Sequence, residues 1–169
     1  MRHTRPDIDS DVCYGQLDVD VKPSFAEEAS DVITRVDPPD LIVSSPLRRC
    51  KKLAVFIAQN FGCDYLTDQR LSEMDFGSWE GQPWGDLPRE ELDAWAEDFL
   101  HAAPHGGESV QALNDRVAAR LNEDRGANRS VLWVTHAGVL KSARFLVAEN
   151  PSTFDWQVTM GFGQTFKLY

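Results

Sequence analysis

The sequence predicts an α/β domain built on a mostly parallel sheet. Two short apolar runs, Leu41–Val43 in "DLIVSSP" and Val131–Val134 in "SVLWVTHAG", read as strands buried on both faces. Each run stops abruptly in small or polar residues and leads into apolar residues at helical spacing. Further helical segments lie between these units, as the crossovers of a parallel sheet require.

The elements follow in order. Phe25–Val36 (FAEEASDVITRV) is a helix ended by Asp37-Pro38-Pro39. After the first apolar run and its Ser44-Ser45-Pro46 break, Leu47, Cys50, Leu53, Ala54, Ile57 and Ala58 mark the next helix. Residues 67–107 begin as loop. Within them "REELDAWAEDFLHAA" places Leu92, Trp95, Ala96, Phe99 and Leu100 on one helical stripe. A helix over about Glu108–Arg125 carries Val110, Leu113, Val117 and Leu121, and the helix after "VTHAG" carries Val139, Leu140, Ala143, Leu146 and Val147. "GQTFKLY" is expected to be a last strand. With 169 residues, and with no repeat, low-complexity segment or linker, residues 1–169 are expected to form one domain.

The charge balance narrows the function. Lys and Arg number 17 against 27 Asp and Glu, a formal net charge of −10. Such a field repels nucleic acid and anionic membranes, so neither is expected as a partner. An anionic substrate would then need a local cluster of cations. Cys13, Cys50 and Cys63 are odd in number and form no Cys-x-x-Cys pair, which points away from disulfides and towards a reducing, cytoplasmic setting. No apolar run is long enough to span a bilayer.

Ligands of open α/β sheets sit beyond the carboxyl ends of the strands. "SSPLRR" and "THAG" both fall there. His136 follows a buried strand and precedes a helix whose first amides suit an anion; a satisfied core histidine is the equal alternative. Arg48 lies at the same edge, and Arg49 beside it reads as a solvated helix arginine. Glu73, in "LSEMDFGSWEG", sits among Met74, Phe76 and Trp79, a setting that suits a general acid, with Glu80 competing for the role. Arg2 and His3 stand together at the start of the chain, a repelling pair unless an anion lies between them. His101 and His105 have i, i+4 spacing, but Pro104 interrupts them and no third ligand is near, so they read as surface histidines. "HGGES" has no strand ahead of it and is a poor dinucleotide loop. The tryptophans read as core or pocket wall.

Taken together, two histidines, two arginines and a carboxyl group suit phosphoryl transfer without a metal or other cofactor. An imidazole attacks phosphorus, guanidinium groups hold the equatorial oxygens, and the carboxylic acid protonates the leaving oxygen.

With those residues in view, the chain resembles the histidine phosphatases, the phosphoglycerate mutase-like superfamily. "RHT" at 2–4, "SSPLRRC" with Arg48, "LSEMDFGSWEG" with Glu73 and "VTHAG" with His136 match that family's elements in order across nearly the whole chain. The resemblance implies a three-layer α/β/α fold. It implies His3 as nucleophile, Arg2, Arg48 and His136 as phosphoryl-binding residues, and Glu73 as proton donor. "RHTRP" followed by "CYGQLDV" is similar to the alpha-ribazole phosphatase branch, which dephosphorylates alpha-ribazole 5′-phosphate in cobalamin synthesis. Tyr14 and Gln16 would then line the substrate side. A broader phosphatase, a mutase-like relative and a catalytically silent phospho-ligand-binding domain are the alternatives. Most of the family's first strand is missing ahead of Arg2, where only Met1 stands. His3 is therefore expected to lack support, and Leu41–Ser44 and Val131–Thr135 to lose a sheet neighbour.

Overall fold

The computed structural model describes residues 1–168, so Tyr169, the end of the expected last strand, lies outside the described residues. Three parallel strands form the sheet: β1 (Leu41–Ser44), β2 (Asp64–Thr67) and β3 (Val131–Val134), in the order β2-β1-β3. β1 is central, with Leu41 opposite Asp64 on one side and Val131 on the other. The helices are α1 (Phe25–Ile33), α2 (Arg48–Phe61), α3 (Arg89–Glu97), α4 (Val110–Asp124) and α5 (Ala137–Leu146). None of the helices is long and apolar enough to cross a membrane.

Alternation along the strands divides the core between the two faces of the sheet. Ile42 and Val134 pack with Ala29, Val32, Cys50, Leu53 and Ile57 of α1 and α2. Leu41, Val43 and Trp133 pack with Val110, Leu113, Val117, Val139 and Ala143 of α4 and α5. The expected three layers are therefore present. β2 was not legible in the sequence, because all four of its residues are exposed and carry no apolar run. α1 and α3 end earlier than their periodicity suggests, at Ile33 and Glu97. Phe99 and Leu100, past the end of α3, still pack against the core. Residues 164–168 form no strand.

The start of the chain supplies a fourth, very short rung. The Met1 ammonium donates to the Trp133 carbonyl at 2.8 Å, Thr135 N–H donates to Met1 O at 2.9 Å, and His3 N–H donates to Thr135 O at 2.9 Å. Arg2 thus pairs with Thr135 in parallel. On its other side, Gly163 N–H donates to the carbonyls of Arg2 and His3, and Arg2 N–H donates to Gln164 O. Two expectations are corrected by this. β1 has lost no neighbour, since β2 and β3 flank it, and His3 is held on both sides of its backbone. What is left uncovered is the first half of β3, where Val131 and Leu132 face a groove of about 790 Å³ shared with residues 165–168.

Burial of the Met1 ammonium lowers its pKa to about 5, because desolvation penalises the charged form. The unfolded chain takes up this proton near pH 8 and the folded chain does not, so stability should fall as pH drops from 8 towards 5. Acetylating Met1, or adding a few apolar residues ahead of it, replaces the ammonium by a neutral N–H. Above about pH 7, where the histidines of the unfolded chain are mostly neutral, urea unfolding should show a slope of up to about 1.4 kcal/mol per pH unit from the Met1 amine. Most of that slope should be lost in the capped protein, and added residues that reach the groove should also raise Tm. An identical slope with and without the cap would show that the ammonium is not the cause.

Candidate active site

The carboxyl ends of β1 and β3 and the Met1–His3 rung all point to one edge of the sheet, and the polar residues collect there. β1 runs into Ser45, whose N–H donates to Val134 O and whose hydroxyl lies 2.8 Å from His136 Nε2. β3 runs into Thr135 and His136, and His136 is the N-cap of α5. The His3 and His136 rings stand edge to face with centroids 5.1 Å apart. Both are buried, at 1 % and 0 % exposure.

His3 Nδ1 lies 2.6 Å from its neighbour's carbonyl, Thr4 O. A carbonyl only accepts, so Nδ1 carries the proton and Nε2 keeps its lone pair. Burial holds the pKa of both histidines well below the usual imidazole value, and the Arg49 charge is the next cause for each. The imidazoles are neutral at pH 7, the form in which nitrogen is a nucleophile.

Two guanidinium groups flank them. Arg2 donates to Met160 O and to the Tyr14 hydroxyl, and sits over the Phe162 ring at 3.7 Å. Arg49 is fully buried and donates to Leu17 O at 2.9 Å and Gly15 O at 2.7 Å. Each keeps a buried Nε–H with no acceptor among the described residues. Unpaired buried donors are costly, and paired cations with spare donors are what a phosphoryl group would satisfy.

The placement of Arg48 is corrected here. Its side chain is 54 % exposed and faces Asp18 and Asp20. Arg49, read as solvated, is the arginine at the histidines. Helical phase explains the exchange. Arg49 lies four residues before buried Leu53, and Arg48 four before exposed Lys52, so the same turn that buries Leu53 carries Arg49 inward.

Glu73 enters from the other side. Its carboxylate accepts from the N–H groups of Met74 at 3.0 Å and Gly138 at 3.1 Å, which places it at the start of α5 beside His136. A Cβ at position 138 would meet the Glu73 carboxylate, so a side chain there would push Glu73 off its hydrogen bond to the Gly138 N–H. Arg116 fixes the loop from behind, donating to the carbonyls of Arg70, Ser72 and Glu73. Glu80 does not compete: it accepts from the backbone N–H groups of Gln16, Leu17 and Phe76 and ties two loops together. Gln16 reaches Glu73 O with its amide, so it and Tyr14 both border the site. His105 corrects its surface reading. It is 2 % exposed, accepts from Gly107 N–H, and packs edge-on against Trp79 at 4.7 Å.

Sequence reasoning missed Phe162. Its ring covers the Arg2 guanidinium and lies 5.5 Å from the His3 ring. It stands between Gly161 and Gly163, and Gly163 has φ +66°. Among the described residues, no group of three or more His, Cys, Asp or Glu side chains is arranged to hold a metal.

Comparison with known proteins adds lineage to this geometry. The family model described as "Histidine phosphatase superfamily (branch 1)" matches residues 1–165. A glucosyl-3-phosphoglycerate phosphatase from Mycolicibacterium vanbaalenii is 32% identical over 165 residues, 88% of this chain and 72% of that protein. An adenosylcobalamin/alpha-ribazole phosphatase from Escherichia coli is 36% identical over 107 residues, 60% of this chain and 52% of that protein. The crystal structure of the alpha-ribazole phosphatase from Shigella flexneri superimposes with a TM-score of 0.80 at 28% identity, over 96% of this chain and 85% of that one. The matched segment thus spans about half the length of the Escherichia coli relative.

Two outcomes check the geometry. Arg49→Lys keeps the charge and loses the fork, and should weaken inorganic phosphate binding roughly 10–100-fold by calorimetry, while Arg48→Lys should leave it within about 3-fold. The reverse order would restore Arg48. Phe162→Ala should speed carbethoxylation of His3 by diethylpyrocarbonate, mapped by mass spectrometry; an unchanged rate would show that the ring does not shield it.

Proposed function

Because the chain belongs to the histidine phosphatase superfamily, branch 1, we propose that it hydrolyses phosphate monoesters through a phosphohistidine on His3. One observation carries this reading. Two neutral, buried imidazoles have ring centroids 5.1 Å apart and are flanked by the half-buried Arg2 and the fully buried Arg49, each with a buried, unpaired Nε–H donor. This arrangement is poor for binding cations and well matched to a tetrahedral dianion.

In the proposed reaction, Arg2, Arg49 and His136 hold the phosphoryl oxygens, with Arg49 in the role first expected of Arg48. His3 Nε2 attacks phosphorus, the bond to the leaving oxygen breaks, and that oxygen takes the proton of Glu73. A water molecule then gives a proton to the Glu73 carboxylate and attacks the phosphohistidine. Inorganic phosphate leaves, and His3 and the acid are regenerated. Charge develops on the equatorial and leaving oxygens and is met by fixed guanidinium groups and a proton, so the scheme calls on no metal. Neutral His3 is needed for attack, and its lowered pKa supplies that form at neutral pH.

For the substrate, residues 2–6 and 13–19 and the likeness to the alpha-ribazole phosphatases support alpha-ribazole 5′-phosphate. The longer match to the glucosyl-3-phosphoglycerate phosphatase supports a phosphoglycerate-type ester as the second reading. Comparing kcat/KM for the two esters separates them.

The reaction itself is tested with an aryl phosphate in the presence of a metal chelator. Turnover should persist with chelator and fall by at least ~1000-fold in His3→Ala, since removal of a nucleophile that acts with its partners abolishes the covalent route. Glu73→Gln should slow esters of alcohols far more than aryl esters, whose leaving oxygen needs no proton. Turnover that survives His3→Ala would overturn the mechanism. Phosphate binding without turnover would favour a silent binding domain.

A further inference from the structure

A neutral imidazole presents one N–H and one lone pair. Which nitrogen of His136 carries the proton therefore decides whether that ring attracts or repels a phosphoryl oxygen. The deciding neighbour is Ser45, which takes no part in the proposed reaction. Ser45 is fully buried just past the end of β1, and its N–H donates to Val134 O at 2.9 Å, which fixes it beside the end of β3. Its hydroxyl oxygen lies 2.8 Å from His136 Nε2 and accepts from Leu47 N–H at 3.3 Å.

The contact to Leu47 is what a hydroxyl at the entry to α2 would make in any case. The contact to His136 is not explained by it. Ser45 joins β1 to the ring of a residue 91 positions away, and it occupies Nε2. Nδ1 is the ring nitrogen left to meet an anion, and among the described residues it reaches only the Cys50 sulfur, at 3.8 Å. A lone pair on Nδ1 would repel a phosphoryl oxygen, whereas an N–H would join the spare Nε–H donors of Arg2 and Arg49. That N–H exists on a neutral ring only if Nε2 accepts, and the Ser45 hydroxyl has a proton to give once its oxygen has accepted from Leu47. The Cys50 sulfur also lies 3.3 Å from Nε2, but a thiol is the weaker donor and the weaker acceptor, so the hydroxyl proton goes to the imidazole.

We infer that Ser45 is a positioning residue, whose hydroxyl donates to His136 Nε2, keeps the ring proton on Nδ1 and so makes His136 a hydrogen-bond donor to the phosphoryl group. The inference rests on the phosphomonoesterase reading and adds a residue to that same site. It also separates the two histidines. His3 has its Nδ1–H taken by Thr4 O and offers the lone pair of Nε2. His136 has the lone pair of Nε2 taken by Ser45 and offers Nδ1–H. Both rings hold the same tautomer, and opposite partners leave one to attack and the other to donate.

The test reads the tautomer directly. The chain has four histidines, and long-range proton–nitrogen NMR of histidine-labelled protein at neutral pH distinguishes protonated from bare ring nitrogens; His136→Asn identifies the His136 signals by their loss. The unaltered protein should show His136 protonated on Nδ1 and bare on Nε2. Ser45→Ala should move proton population to Nε2 and lower kcat/KM for an aryl phosphate roughly 10–100-fold, less than outright removal of a transition-state donor. Ser45→Thr, which keeps the hydroxyl, should retain the tautomer and stay within about 3-fold of the parent in rate. Nε2–H in the unaltered protein would overturn the inference, and that spectrum needs no variant to fold. So would a Ser45→Ala protein with the parent's tautomer, or one with the altered tautomer and the parent's rate. The spectra are taken without substrate, so no turnover of any ester, with the Nδ1–H tautomer present and lost in Ser45→Ala, would overturn the phosphatase reading and leave the role of Ser45 towards His136 standing.

Discussion

Three backbone hydrogen bonds hold the candidate site in place: the Met1 amino group to Trp133 O, Thr135 N–H to Met1 O, and His3 N–H to Thr135 O. Through them the first residues of the chain inherit the rigidity of β3, and β3 in turn is clamped by β1. His3 then faces His136 across a fixed gap, and the two arginines are built around that pair. Without this rung the imidazole would have no fixed relation to the arginines, and a reactive group displaced by an ångström loses much of its effect. Its cost is the desolvated Met1 amine, whose pKa is lowered to about 5, and the groove lies beside β3.

The electrostatics follow from the same compactness. In water, two arginines beside two histidines would repel only weakly. Burial first, and the Arg49 charge second, keep the imidazoles neutral, and the neutral imidazoles add no charge to repel the arginines. The protein surface carries net negative charge, but the local field at this edge of the sheet is positive. An anion drawn there meets donors that are already oriented, and little reorganisation is left for the reaction.

Much of this was legible in the sequence, and the misses have physical reasons. The buried strands Leu41–Ser44 and Val131–Val134 announce themselves as apolar runs because both faces are covered. β2 does not, because its exposed edge residues satisfy no pattern. His3, Glu73 and His136 stand where strand ends and short motifs placed them. Arg48 and Arg49 were exchanged because adjacency hides which one faces inward; the phase set by Leu53, Ala54 and Ile57 contains the answer. His105 was buried by Trp79, a contact over 26 positions that no local pattern encodes. Phe162, in Gly-Phe-Gly, carries no signal at all until the chain returns it to Arg2.

The central claim is that phosphorus is passed to His3. Acid-sensitive phosphohistidine survives a rapid quench into alkaline denaturant, after which the N-terminal peptide can be mapped by mass spectrometry. Enzyme quenched during turnover of an aryl phosphate should carry one phosphoryl group on His3, and the adduct should disappear once substrate is exhausted. A phosphoryl group found on another residue, or turnover with His3 unmodified at every time point, would contradict the account.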